Sequence, residues 1–175
     1  MIIGHAPAGY LLAKIVYGRK SSVPARYVWV LVAASILPDL DLLYFYIIDN
    51  RAHNHHDYWT HIPLYWLALY YLAMMAAMMF DKLVIIIYAT LLLSGVMLHL
   101  LLDTITGGIQ WAYPFSNQHY TVIKVPAVYD WWVFNFVVHW TFLLELILLG
   151  LAGLTYLITR QIKPFCSTSR SVPIH

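Results

Sequence analysis

Four long apolar runs decide what this chain can fold into. They extend from Tyr27 to Ile48, Ile62 to Phe80, Leu83 to Leu102 and Trp132 to Thr159. A helix needs about 20 mostly apolar residues to cross a bilayer core. Inside lipid, helices and closed barrels alone satisfy their own backbone groups. A fifth and shorter run, Ile2 to Tyr17, contains His5 and Lys14. It lacks a basic lead-in and a small-residue cleavage site, so it does not read as a cleavable signal peptide. The expectation is an all-α integral membrane protein, one transmembrane helical domain over residues 1–175. It forms a bundle of about five transmembrane helices, the first short and the second kinked at Pro38, with residues 162–175 as a flexible cytoplasmic tail. Composition closes off the alternatives: 62% of residues are apolar and 10% charged, against about 25% charged in a soluble domain. A soluble globule, a disordered tail and a nucleic-acid-binding module are therefore excluded. Cys166 is the one cysteine, which leaves no intrachain disulfide and no thiolate cluster.

Orientation follows from the ten Lys and Arg residues, which concentrate on the cytoplasmic side of membrane proteins. With spans alternating, Lys14, Arg19, Lys20, Arg26, Lys82, Arg160, Lys163 and Arg170 share one side, and only Arg51 and Lys124 lie opposite. The C-terminus is then cytoplasmic, and the loops 49–61 and 103–131 face outward. Trp111, Tyr113, Tyr129, Trp131 and Trp132 suit an outer aromatic belt.

Ionisable groups within spans cost roughly 2.5–3.5 kcal/mol each and by default mark function. Leu37-Pro38-Asp39-Leu40-Asp41 interrupts the first long run. Pro38 disfavours helix at Leu37, and a break there lets Asp39 and Asp41 face one cavity. The alternative is a carboxylate pair reaching water near the end of the span. His99 and Asp103 are four residues apart, on one helical face. Together they suit Zn²⁺, Mn²⁺ or Fe²⁺, or else the Asp orients a ligating His. The loop His53-Asn54-His55-His56-Asp57-Tyr58-Trp59-Thr60-His61 carries four histidines in nine residues. His56 and His61 approach the same end of the bundle, with Thr60 as the expected cap of the next helix. His53 and His55 read as exposed loop residues. Helix rise places His5 and Asp39 at similar depth, each about 20 Å from the Arg19–Arg26 turn. Thus His5, Asp39, Asp41, His56, His61, His99 and Asp103 can converge, a set that suits two metals with a bridging water. Glu145 matches that depth, as a further ligand, a general base, a buried acid or a partner of Lys14. His139 reads as a hydrogen-bonding residue of the aromatic belt. Gly107-Gly108 either lets backbone amides approach a ligand or simply stops the helix.

The ordered set His5, Leu37-Pro38-Asp39-Leu40-Asp41, His56-Asp57-Tyr58-Trp59-Thr60-His61 and His99-Leu100-Leu101-Leu102-Asp103-Thr104-Ile105-Thr106 resembles the YdjM-like family of membrane-bound, metal-dependent hydrolases. That family shows an early His, an LPDxD segment, an HxGFTH segment and a late HxxxDxxT segment. Trp111-Ala112-Tyr113-Pro114 is similar to the aromatic, proline-containing stretch that follows them. The resemblance implies metal-binding or catalytic roles for His5, Asp39, Asp41, His56, His61, His99 and Asp103, and an inner-membrane location in a prokaryote. Asp57-Tyr58-Trp59 stands where Arg-Gly-Phe is usual, and Leu42 where many members carry another His. Names used for the family also mention association with a repressor protein, on which these residues are silent.

The function expected is a membrane-embedded hydrolase with a dinuclear site, zinc first and manganese or iron as alternatives. It would act near the outer face on a lipid or lipid-linked ester, a phosphoester above others. Asp41, His61 or Glu145 would move protons. A homo-oligomer is left open. The rival is a divalent-metal transporter or a metal sensor; a purely structural cluster would use Ser, Thr, Asn or small residues instead.

Overall fold

A computed structural model describes residues 3–18 and 24–167, with side chains described as far as Arg160. Among these residues there are seven α-helices and no strand. They are α1 (His5–Tyr17), α2 (Ala25–Ala34), α3 (Asp41–Ile47), α4 (Pro63–Phe80), α5 (Leu83–Thr106), α6 (Trp132–Val138) and α7 (Phe142–Ser167). Short 3₁₀ turns at Pro38–Leu40, His55–Asp57 and Trp59–His61 join α2 to α3 and lead into α4.

Three helical segments are long and apolar enough to cross a membrane: Pro63–Phe80, Leu83–Thr106 and Phe142–Arg160, with mean hydropathies of 1.5, 2.3 and 2.1. A fourth crossing is available if α2 and the Pro38–Ile47 segment, bent by 55°, make one broken span. Against the expected count of about five, the described residues offer three candidate spans, or up to four. α1 has 13 residues, about 20 Å of helix, and falls short of a span. The first long run breaks earlier than Pro38 itself. Pro38 has no N–H to offer the Ala34 carbonyl, and α2 accordingly ends at Ala34. The last run is also divided. His139 is extended (ψ 143°) after α6, and a turn with Phe142 N–H on the His139 carbonyl (3.0 Å) opens α7. The His139 ring bonds Thr141 Oγ1 within that turn (2.9 Å). α7 continues to Ser167, so the first residues of the expected tail, 162–167, are helical. Residues 168–175, including Arg170, lie outside the described residues, as do Arg19, Lys20 and the side chains of Lys163 and Cys166.

Packing centres on α5. Its buried residues Leu91, Gly95, His99 and Asp103 repeat every four positions, with Val96 and Leu100 alongside, so one face of the helix meets α1 and α2. Close approach is why that face needs small residues. A Cβ at Gly95 would lie 2.5 Å from Ala34 Cβ, and one at Gly9 would lie 2.3 Å from Ser35 Oγ. Trp66, Val96, Leu100 and Ile109 form the core beside it. The outer side of α4 faces away from protein, with Leu67, Tyr71, Leu72 and Met79 exposed, as suits contact with lipid. The connection after α5 folds back on the helix it leaves. Val122 and Ile123 N–H groups reach the Thr104 and Ile105 carbonyls at 2.9 and 2.8 Å, satisfying acceptors that a helix end leaves open.

Candidate metal centre

Four separate chain segments deliver the site. The first turn of α1 brings His5, the break after α2 brings Asp39, the turns before α4 bring His56 and His61, and the α5 stripe brings His99 and Asp103. Their polar atoms meet at one point. Asp103 Oδ1 is 3.1 Å from His5 Nε2, and Asp103 Oδ2 is 3.0 Å from His99 Nε2. The same Oδ2 lies 3.6 Å from His56 Nε2 and 3.7 Å from His61 Nε2. Asp39 approaches His99 and His61 at 3.6 and 3.7 Å through Oδ1, and His5 at 3.8 Å through Oδ2. His5, His61, His99 and Asp103 are essentially inaccessible, while Asp39 keeps 19% exposure.

The far side of three rings fixes what the near side can do. His99 Nδ1 donates to the Ser35 carbonyl (2.9 Å), and His56 Nδ1 to the Gly107 carbonyl (3.1 Å). His61 Nδ1 donates to Asp41 Oδ2 (2.8 Å), an oxygen that also accepts from Thr60 Oγ1. Each partner is an acceptor, so each Nδ1 carries the proton and each Nε2 is left with a lone pair aimed inward. His61 Nε2 and His99 Nε2 consequently face each other at 3.3 Å. Two lone pairs at that distance require a cation between or beside them. Burial alone would lower the affinity of His61 for a proton, but hydrogen bonds to Asp39 and Asp41 outweigh it and raise the pKa to about 9. A proton or a metal ion can fill the need. The donors fit a metal: bonds of about 2.0–2.1 Å to a tetrahedral zinc set neighbouring donor atoms about 3.3–3.4 Å apart. The contacts of His5, His61 and His99 with one another and with the two carboxylates run from 3.0 to 3.8 Å.

Each residue singled out in the sequence now has a place. His5, Asp39, His99 and Asp103 form a group whose donor atoms all lie within 4.8 Å of one another, and His55, His56 and His61 form a second such group. Asp41 stands behind His61 rather than in front of the converging Nε2 atoms, which suits an orienting role. Glu145 is buried, and its Oε2 accepts from the N–H groups of Ile3 and Gly4, where it holds the start of α1 and so the helix that carries His5. His53 is exposed and bonds Asp49 Oδ1 (2.8 Å) through its ring and Asp49 Oδ2 (2.9 Å) through its N–H. That side-chain bond comes first among the causes that hold the Asp49 carboxyl down at about 2. Thr60 does not cap α4, because its hydroxyl serves Asp41 and Ile62 takes the capping position. The amides of Gly107 and Gly108 both bond the Asp103 carbonyl, at 2.7 and 3.1 Å; they end the helix rather than face a ligand. Gly107 has a further reason to be glycine. A Cβ there would sit 2.1 Å from His56 Cε1, so its bareness admits the ring.

Sequence reasoning passed over His55, set aside as a loop residue. It is half-buried, its ring tilted against His56 with centroids 4.0 Å apart, and its centroid lies 5.2 Å from that of His61. Burial, the largest of the causes, lowers its pKa to about 2, so it is a neutral imidazole. It also passed over Ser35, whose carbonyl sets the His99 tautomer and whose hydroxyl donates to the His5 carbonyl (2.9 Å). A repeated His in the loop was the one available signal for His55; nothing in a sequence announces a carbonyl contact.

A cavity of about 330 Å³ opens onto the centre, lined by Leu42, Phe45, Trp132 and Phe136 on its apolar walls and by Asp39, His55 and His56 where it meets the site. The sequence profile of the YdjM inner membrane protein family matches residues 1–164. The chain belongs to that family. No curated protein and no solved structure matches it. The YdjM match covers every segment that contributes a donor, from His5 to Asp103, and extends through most of α7.

Proposed function

We propose that this protein is a membrane-embedded, metal-dependent hydrolase whose centre holds two divalent ions, zinc above manganese or iron. The reading rests on one observation above others: the His61 and His99 Nε2 lone pairs face each other at 3.3 Å between two carboxylates. His5, Asp39, His56, His61, His99 and Asp103 would hold the ions. Bound there, divalent metal would lower the pKa of a water and polarise the ester to be cleaved. The chain's own residues prepare that site. Ser35, Gly107 and Asp41 hold the three imidazoles in the Nδ1–H tautomer, so no ring must reorient on loading. The buried faces of α1, α2 and α5 exclude bulk water from behind the donors, which strengthens their electrostatics. Asp39, the more open carboxylate, faces the cavity where a substrate would arrive.

The substrate favoured is a lipid or lipid-linked ester, a phosphoester first. Leu42, Phe45, Trp132 and Phe136 make apolar walls continuous with the metal-competent groups, so one molecule can lay a chain on them and a polar ester at Asp39. The positive bias of Lys and Arg supports a site at the outer end of the bundle.

The test is metal content and hydrolysis in detergent-purified protein, with His99→Ala and Asp103→Ala as variants. The expected result is metal in the wild type, its loss in both variants, and loss of phosphodiesterase or phosphomonoesterase activity on a short-chain lipid ester. A metal-free wild type, or a variant with full activity, overturns the reading. Passage of zinc across liposomes containing the protein would favour the transport alternative.

A further inference from the structure

We infer that the centre consists of two unequal metal subsites, the outer of which takes His55 as a ligand. The inference rests on the metal reading above and adds a residue and an order of exchange to it. The donors fall into two geometric groups. His5, Asp39, His99 and Asp103 make one, and His55, His56 and His61 the other, each with its donor atoms within 4.8 Å. Asp103 reaches both, through Oδ1 toward His5 and through Oδ2 toward His56 and His61. One carboxylate shared between two donor groups is the arrangement by which two ions are held side by side.

His55 belongs to the outer group by chemistry as well as position. The side chains of His56 and His61 each commit Nδ1 to an acceptor, but neither ring nitrogen of His55 makes a hydrogen bond among the described residues. Its ring lines the cavity with both nitrogens uncommitted, so a lone pair is available to an ion there. Its contacts with Phe45 and Trp132, at ring-centroid distances of 5.8 and 6.2 Å, would be met as well by phenylalanine. The turn that carries it is set in place, since Asn54 Oδ1 accepts the His56 N–H at 3.2 Å. His55 is thus presented to the cavity on a short, capped 3₁₀ turn.

The subsites differ in access. Three of the four inner donors are at 1% exposure or less, shielded by α1, α2 and α5. His55 and His56 border the cavity, with Asp39 the one inner donor beside them, and His61 is buried behind; a chelator or a fresh ion therefore meets the outer group first, through those two rings. The inner ion is resident and the outer one exchangeable.

The experiment uses the full chain in detergent, stripped with a strong chelator and titrated with Zn²⁺ or Co²⁺ alone. Calorimetry and the visible absorption of Co²⁺ serve as readouts. The wild type is expected to bind two ions per chain, one released by mild chelation at least tenfold faster than the other. His55→Phe keeps the ring packing and removes the donor. It should retain the slow ion and weaken the second by tenfold or more, with a changed Co²⁺ spectrum. His55→Gln is the second variant should Phe disturb folding, and thermal unfolding checks both. Two ions held by His55→Phe with wild-type affinity and spectrum would overturn the inference while leaving the metal reading intact; a single ion in the wild type would overturn the inference and the two-ion part of that reading. No ion in the wild type overturns the metal reading itself.

Discussion

Gly107→Ala tests how the outer half of the centre is packed. Gly107 has φ −93° and ψ −34°, which alanine adopts without strain, so the backbone is indifferent to the change. The obstacle is the His56 ring, whose Cε1 lies 2.1 Å and Nδ1 2.9 Å from the position of the new Cβ. Ordinary contact begins near 3.4 Å, so the ring must retreat by roughly 1.3 Å, a forced displacement of the overpacking kind. That retreat breaks its 3.1 Å bond to the Gly107 carbonyl and carries Nε2 away from Asp103. Metal sites tolerate about 0.2 Å of error in ligand distance, so the displacement is several times what a ligand can absorb. Overpacking of this kind costs about 1–3 kcal/mol of stability. Loss of an orienting contact costs about 10–100-fold in metal affinity, and both effects should appear together. Competition against a chelator measures the first quantity that matters, and thermal unfolding in detergent the second. Gly150→Ala is the control, because a Cβ there meets nothing within 4 Å. A Gly107→Ala protein with wild-type metal affinity and melting temperature would refute the reasoning, since His56 would then not lie against Gly107.

Three other outcomes follow from the same geometry. Asp41→Asn should keep the centre but lower its metal affinity about 10–100-fold, because Asp41 orients His61 from behind; complete loss of metal by elemental analysis would make it a direct ligand. Glu145→Ala removes the acceptor for two N–H groups at the start of α1 and should cost about 1.5–3 kcal/mol, read as a lower melting temperature with metal content less affected than in His99→Ala. The Asp49 carboxyl, at about 2 against an ordinary 3.8, stabilises the loop above pH 3.8 and loses that contribution as pH falls through about 2. His53→Ala should return its midpoint toward the ordinary value in a carboxyl NMR titration, and an unchanged midpoint would remove His53 as the cause.

Much of this protein was legible in one dimension because lipid imposes a simple rule: apolar length makes spans, and ionisable residues inside them are rare. That rule was enough to select α4, α5 and α7 and to pick out His5, Asp39, His99 and Asp103. It failed at Trp132–Thr159, where apolarity is continuous but the backbone turns at His139–Thr141. α1, expected to be short, has 13 helical residues and packs on α2, α5 and α7.

The residue inventory and the proline were sequence-determined: Pro38 forbids a bond to the Ala34 carbonyl wherever the chain lies, and α2 stops at that residue. What each carboxyl and imidazole does was decided only by tertiary structure. Asp39 and Asp41 are two residues apart and chemically identical, yet the turn after α2 aims one at three histidine Nε2 atoms and the other at the back of His61. Glu145, at a matching depth, meets the N–H groups that precede α1 instead. His55 is drawn in beside His56 by a capped turn. Depth along a helix can be counted from residue numbers, but the rotation of one broken segment against another is set by packing at Gly9, Ser35 and Gly95, where backbones approach too closely for side chains to intervene.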